Sequence, residues 1–491
     1  MEKLLLGIDL GTSSVKTALV RLNGEILHTE SEKYDIEFPE EGFEEEDPAV
    51  WWEKTVQALR RLTQQISPNC QIAGVGFSGQ MHGLVALDRN HVPLMPCILW
   101  SDGRSGELIR EFERKMDMEC YYEQTANMPS TGFMLFSLLW LKEKKPELFG
   151  KIHKVLFPKD YLRMKLTGEL GTDFTDASGS GMLAYKNWHI SLCDQLGIPQ
   201  AILPDLYDSY AIAGTVSEEV GRLTGLPAGI PVVYGSGDSM AQLLGVGAVD
   251  LGDMVSNIGT GSQITCLINS EGARNTKELN RFVHSVQGLD ILSGASLNGG
   301  IVMKWINNKV FSMESFDRLV EIAAGVEPGA GGVGFVPYLS GERCPYRSDT
   351  AAGVFYGLKL AHGKEHICRA ALEGMVYALR DNLAAIEKGT GISPKYIIAS
   401  GGGAKNPFLL QLQADVFRKK VLVASCEEQA CLGAALYAGV GCGLYGSLRE
   451  ASQTVSRYAP EQYEPDADRA DLYNRMFQRY LRVRDAVMGI G

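Results

Sequence analysis

Two short Gly-Thr turns, one in each half of the chain, constrain its fold more than any other feature. The first lies in Gly7-Ile8-Asp9-Leu10-Gly11-Thr12-Ser13-Ser14, and the second in Ser256-Asn257-Ile258-Gly259-Thr260-Gly261-Ser262. Each sits between two apolar, β-branched-rich runs, so each reads as a strand-turn-strand hairpin. Such a turn aims consecutive backbone N–H groups and small hydroxyls at one point, which suits a phosphate oxygen. Two of them imply two lobes gripping one polyphosphate.

The size and charge of the chain fit that reading. A chain of 491 residues favours two or more domains, and 45% apolar residues supply ample cores. The formal net charge of -12 argues against nucleic acid or an anionic membrane as partner. It leaves room for a nucleotide, which needs only a local nest of N–H groups and a metal. The apolar run Leu4-Leu5-Leu6 is shorter than a signal peptide requires, and no stretch approaches membrane-spanning length. None of the ten cysteines forms a Cys-x-x-Cys pair. A zinc site is therefore disfavoured, and a cytoplasmic protein with reduced thiols is the simplest expectation.

Strand-like and helical runs alternate in both halves, which points to α/β architecture. Residues 3–9, 15–20 and 24–31 read as an antiparallel meander. Asp47 then caps a helix that begins at Pro48, with Trp52, Val56, Leu59, Leu62 and Ile66 as its apolar stripe. A strand follows at 71–78. The strand Pro231-Val232-Val233-Tyr234 turns through Gly235-Ser236-Gly237-Asp238 into a helix ending near Gly245 to Gly247. The second hairpin comes next, so the domains are expected at 1–247 and 248–491. The second half holds a long helix over 364–389 and a strand over 396–400. The turn Gly401-Gly402-Gly403, a helix over 406–418, a strand over 420–424 and a helix from 430 follow. The last helix, 466–488, is expected to pack through Leu472, Met476 and Val483.

Four segments offer chemistry. Asp9 lies beside the first turn, and a carboxylate next to polyphosphate needs a hard cation between them, so Asp9 is a Mg²⁺ candidate. The plainer alternative is an Asp chosen for a β-turn. Asp238, at a strand-to-helix junction, suits a base that accepts the proton of an attacking hydroxyl, or equally an N-cap. Gln80 and His82, with Trp100, Asp102 and Arg104 downstream, offer the amide, imidazole, aromatic face, carboxylate and guanidinium that a sugar site uses. Gly401-Gly402-Gly403 permits a close approach of ligand to backbone, or serves simply as a tight turn. There is no GxGxxG fingerprint, no Walker A sequence and no Gly-x-Ser-x-Gly elbow.

At this point the chain resembles the FGGY carbohydrate kinases, and within them the branch acting on D-xylulose. The matching segments are Gly7-Ile8-Asp9-Leu10-Gly11-Thr12-Ser13, Gln80-Met81-His82-Gly83, Leu99-Trp100-Ser101-Asp102-Gly103-Arg104, Pro158-Lys159-Asp160-Tyr161-Leu162, Tyr338-Leu339-Ser340-Gly341-Glu342-Arg343 and Gly401-Gly402-Gly403-Ala404. They occur in order over nearly the whole length. The resemblance implies two actin-like, ribonuclease-H-like domains around a central cleft, and ATP-dependent phosphorylation of D-xylulose to its 5-phosphate. It implies Asp238 as general base, and Gln80, Met81, His82, Asp102 and Ser239 at the sugar. Gly11, Thr12, Ser13, Gly259, Thr260, Gly402, Gly403 and Asn406 would hold ATP, and Asp9 would serve Mg²⁺. The expected partners are a ketopentose and Mg²⁺–ATP, and the assembly is a monomer or a homodimer.

Four positions depart from the family pattern and bear on the sugar. Ser239 stands where the family has Asn, Ser137 where it has Lys, and Cys344 where it has Thr. Gln429-Ala430-Cys431 replaces Gly-Pro-Ala. Ribulose, a polyol or a gluconate-like sugar acid is therefore the alternative acceptor. An actin-like ATPase without a sugar is a more distant one, and no extra peptide-binding domain is visible for it. A non-catalytic sugar-binding regulator would be expected to lack Asp9 or Asp238.

Overall fold

The computed structural model describes residues 1–272, 276–312, 315–348 and 350–489. The chain forms two compact units. The first comprises Met1–Val249, Phe282–Leu289 and Cys426–Arg457. The second comprises Asp250–Arg281, Asp290–Ser425 and Tyr458–Gly491.

In the first unit the meander forms as expected: β1 (Glu2–Leu10), β2 (Ser14–Arg21) and β3 (Ile26–Lys33) are antiparallel neighbours. β4 (Cys70–Gly79) lies parallel to β1 on its other side. Beyond it come β6 (Pro231–Val233), parallel to β4, and β5 (Ile212–Thr215), antiparallel to β6. The sheet order is thus β5-β6-β4-β1-β2-β3. A two-residue strand, Ser236–Gly237, continues along β4 opposite Ser78 and Gly79. β1 is buried on both faces from Leu4 to Ile8, as its unbroken apolar run requires.

The Pro48–Thr63 helix is capped by Asp47, whose carboxylate accepts the Ala49 N–H at 2.8 Å. Its buried face is Trp51, Thr55, Ala58, Leu59 and Leu62; of the expected stripe, Leu59 and Leu62 are buried, and Trp52 and Ile66 pack partly buried at its edge. The indole of Trp51 donates to the buried Glu46 at 2.7 Å.

In the second unit, β7 (Met254–Ile258) pairs antiparallel with β8 (Ser262–Asn269) and parallel with β10 (Tyr396–Ser400), and β11 (Lys420–Val423) follows β10. β9 (Leu289–Ser296) lies on the far side of β8. The scheme of β1, β2 and β4 is therefore repeated by β7, β8 and β10. A hairpin whose first strand runs parallel to a later one, in each of two α/β units, is the two-domain actin-like, ribonuclease-H-like architecture. The C-terminal helix Ala467–Met488 buries Ala470, Tyr473, Phe477, Tyr480 and Val487, and the expected Met476 and Val483 pack, partly buried, against the same core. Ring packing decides that face: Tyr377 lies 5.6 Å from Tyr480 and 6.1 Å from Phe477.

One cut at residue 247 does not separate the units, because the Gln429–Gly441 helix belongs to the first. This helix reads as part of the second half by position. Small residues bring it back: a Cβ on Gly76 of β4 would overlap the Ala434 carbonyl, and one on Gly433 would overlap the Ala241 carbonyl. Backbone lies directly on backbone there, with no side chain to yield. Gly433→Ala is expected to destabilise the protein by about 3 kcal/mol, as overpacking does, read as a lower urea midpoint.

Candidate active site

In the first unit, the ends of β1, β4 and the Ser236–Gly237 strand converge. Asp9 and Ser78 are neighbours in the ladder, and the Ser78 hydroxyl donates to the Asp9 carboxylate at 2.6 Å. Burial pushes the Asp9 carboxyl above the usual carboxylate range, while the Ser78 hydroxyl and Lys16 oppose that shift. Lys16, opposite Asp9 on β2, is paired with Glu428 at 2.8 Å.

Asp238 is the first residue of the Asp238–Val246 helix, and Gly237 occupies the cap position. The N-cap alternative is therefore not realised. The Asp238 carboxylate instead accepts the Ser239 N–H at 2.6 Å and the Ser239 hydroxyl at 3.3 Å. Its pKa is raised to about 7, first by burial and then by the negative charge of Asp9. The two hydrogen bonds from Ser239 act the other way. Two half-buried carboxylates that repel each other suit a place where a cation or a proton arrives during reaction.

The first turn is held from behind. The Gly11 N–H donates to Ser14 O at 3.0 Å, the Tyr34 hydroxyl to Gly11 O, and the Tyr34 N–H to Ser13 O at 3.1 Å. The Trp100 indole donates to the Thr12 hydroxyl at 3.1 Å. Trp100 thus supports the turn through its indole N–H.

The segment after β4 divides in two. Gln80 is buried, and its amide donates to Glu46 at 3.1 Å, within the core beneath Trp51. Met81 and His82 turn the other way. The Met81 side chain packs on Gly237, where an added Cβ would meet its Cγ at 2.6 Å. His82 adopts φ 70°. Its Nδ1 lies 2.7 Å from Gly179 O, and because a carbonyl can only accept, Nδ1 donates there. Phe133 and Phe282 flank the ring at 5.2 and 5.6 Å. Asp102 is 1% exposed and accepts from Glu44 N, Arg104 N and Arg104 Nε at 2.7–2.9 Å. Arg104 in turn stacks on Phe43 at 4.0 Å and pairs with Glu45 at 2.7 Å. Both charges are committed to shaping that loop.

In the second unit, Gly259 and Thr260 form the turn between β7 and β8. Their carbonyls accept Gly300 N–H at 2.8 Å and Ile301 N–H at 3.0 Å, so a helix start braces the turn. Gly401 to Gly403 leave the end of β10 and lie on Ile258: a Cβ on Gly403 would meet that side chain at 2.6 Å. The structure thus brings the two glycine turns of this unit side by side. Asn406 caps the Pro407–Phe417 helix, accepting the Leu409 N–H at 3.2 Å.

Several residues around these turns are not apparent from pattern alone. Ser78 holds Asp9, and Glu342 accepts from Ser296 at 2.6 Å and Leu297 N at 3.1 Å. Lys159, Asp173, Thr175 and Asp176 lie behind Gly237. Lys159 lies in the Pro158–Leu162 segment that carries the family resemblance, and the sequence signal for the other three is the density of carboxylates in Thr172-Asp173-Phe174-Thr175-Asp176, in a stretch otherwise built for burial. Among the described residues no group of three His, Cys, Asp or Glu side chains could hold a metal, and no helix is long and apolar enough to cross a membrane.

Comparison with known proteins agrees with these features. The N-terminal domain of the FGGY family of carbohydrate kinases matches residues 4–245, and the C-terminal domain matches residues 255–442. A xylulose kinase of Lactococcus lactis subsp. lactis (strain IL1403) is 34% identical over 98% of this chain and 96% of its own. Two solved structures from Lactobacillus acidophilus superpose equally well. A ligand-bound xylulose kinase gives a TM-score of 0.93 at 28% identity, and a gluconate kinase gives 0.93 at 29%. Each covers 99% of this chain, with 98% of its own chain covered.

Proposed function

Since the chain belongs to the FGGY family of carbohydrate kinases and is an ATP-dependent sugar kinase, we propose that its acceptor is D-xylulose and its product D-xylulose 5-phosphate. The observation that carries the mechanism is Asp238: a carboxylate at a helix start, not used as a cap, with its pKa raised to about 7.

Asp238 receives the proton of the terminal hydroxyl. That oxygen forms a bond to the γ-phosphorus, and the bond from the γ-phosphorus to the bridging oxygen of ADP breaks. A base with a pKa near the working pH is ionised often enough to accept the proton and basic enough to draw it. Ser239 holds the carboxylate in one orientation by two hydrogen bonds. Met81 and His82 contact the sugar.

Gly11, Thr12 and Ser13 bind phosphate oxygens through a turn that Tyr34 and Trp100 hold rigid. Gly259 and Thr260 do the same from the second hairpin, and Gly402 and Gly403 admit the adenosine to close backbone contact. Gln80, Asp102 and Asn406 act from behind, as the partners of Glu46, Arg104 and Leu409. Asp9 fits Mg²⁺, which takes one or two carboxylates and fills its other positions with water and phosphate oxygens. When bound, Mg²⁺ neutralises charge on the transferring phosphoryl group.

Gluconate is the second reading, favoured by the equal superposition of the gluconate kinase. Product analysis tests the proposal. With D-xylulose and ATP, phosphorus–carbon coupling in the product NMR spectrum is expected at C5 and its neighbour C4, with one ADP formed per sugar phosphate. Coupling at C1 and C2 instead, or ADP without sugar phosphate, would overturn it.

A further inference from the structure

A five-residue helix, Phe174–Ser178, connects Asp238 to His82, and its two ends act on different partners. At its start, the Thr175 hydroxyl accepts the Gly237 N–H at 3.2 Å, the last amide before Asp238. Just past its end, the Gly179 carbonyl accepts from His82 Nδ1 at 2.7 Å. Gly237 is also closed in sideways: a Cβ there would meet Met81 Sδ at 2.9 Å and Asp176 Oδ1 at 3.3 Å.

The helix is itself anchored by charge. Asp173 caps it, accepting the Thr175 N–H at 2.9 Å. Lys159 Nζ lies 2.8 Å from Asp160 and 3.0 Å from both Asp173 and Asp176, and all four side chains are wholly buried. Lys159 in turn backs onto β4, where a Cβ on Gly79 would meet its Cβ at 2.9 Å. Ser209 closes the set by donating to Asp173 at 2.8 Å. Buried ion pairs of this kind hold one geometry, because any displacement strands a charge in a medium that cannot solvate it.

We propose that Thr175 is a positioning residue for Asp238, and that the Phe174–Ser178 helix, fixed by Lys159, sets the spacing between Asp238 and His82. The proposal rests on the reading of Asp238 as the base. In-line transfer needs the base and the acceptor hydroxyl in register, and a displacement of about 1 Å costs on the order of 100-fold in rate. Thr175 touches neither sugar nor nucleotide in this account and acts only through the Gly237 amide.

Three variants test it: Thr175→Val, which keeps shape but removes the acceptor, Thr175→Ser, which restores it, and Asp238→Ala alongside. Thr175→Val is expected to lower kcat by about 100-fold with KM for ATP unchanged. Thr175→Ser should recover activity to within a few-fold of wild type. Wild-type kcat in Thr175→Val, or a Thr175→Ser variant as impaired as the Val one, would overturn the positioning role while leaving the base reading intact. Full activity in Asp238→Ala would overturn both. Should Thr175→Val not fold, Thr175→Ala, which adds no bulk, carries the same comparison with Ser.

Discussion

Asp238→Ala is expected to lower kcat for sugar phosphorylation by about 10³-fold, the usual worth of a positioned general base, with KM for ATP within about twofold of wild type. The carboxylate is half-buried at the end of a strand pair, and in the proposed mechanism it takes the hydroxyl proton. Without it, the hydroxyl must lose its proton to water as the phosphoryl group transfers. The hairpin turns proposed to bind ATP do not use this side chain, so nucleotide affinity should be preserved. Steady-state kinetics with ATP and sugar varied separately give the split. A parallel fall in kcat and rise in KM for ATP would instead mean that the turn had collapsed.

Asp9→Asn is expected to lower kcat/KM for ATP by about 100-fold, because one transition-state charge contact is lost. It also has a second, diagnostic effect on the pH profile. In the wild type, Asp238 is raised to about 7, in part by the charge of Asp9. Because the base must be ionised, kcat/KM should fall as pH drops below about 7. Removing the Asp9 charge removes the repulsion that disfavours ionised Asp238. Its pKa falls, and the acid limb of the profile moves to lower pH. A lower rate with an unmoved or upward-shifted limb would separate the two carboxylates and contradict their coupling.

Local chemistry made much of the fold legible. The β-branched runs around Gly11 and Gly259 gave both hairpins, Asp47-Pro48 gave a capped helix start, and Gly247 closed the helix that begins at Asp238. Each of those signals resides in a few consecutive residues. What pattern missed was set by distant partners. Trp51 rather than Trp52 faces inward because Glu46 needs a donor. The Gln429–Gly441 helix joins the first unit because glycines on β1, β4 and the helix itself let backbones meet.

The candidate site shows the same division. Local motifs marked Asp9, His82 and Asp238, the family resemblance added Met81, and all four lie at strand ends or directly after them. Asp102 and Arg104 have the chemistry of sugar ligands, but the structure commits their charged groups to Glu44, Glu45 and one another, while Gln80 gives its amide N–H to Glu46 and leaves its buried Oε1 without a partner. Residue type alone cannot tell a ligand from a strut. For Thr175 and Lys159 the sequence marks the neighbourhood, through the carboxylate-dense Thr172–Asp176 stretch and the Pro158–Leu162 segment, but not the contacts, which are a backbone amide and a buried charge cluster.

The central claim is that this sugar kinase acts on a ketopentose, and the acceptor panel tests it most directly. ATP-dependent kcat/KM would be measured for D-xylulose, D-ribulose, D-gluconate and glycerol in one coupled assay. D-xylulose is expected to exceed each of the others by at least about 10-fold, the scale of discrimination a few polar contacts provide. A higher kcat/KM for D-gluconate, or ADP formation independent of any sugar, would contradict the assignment.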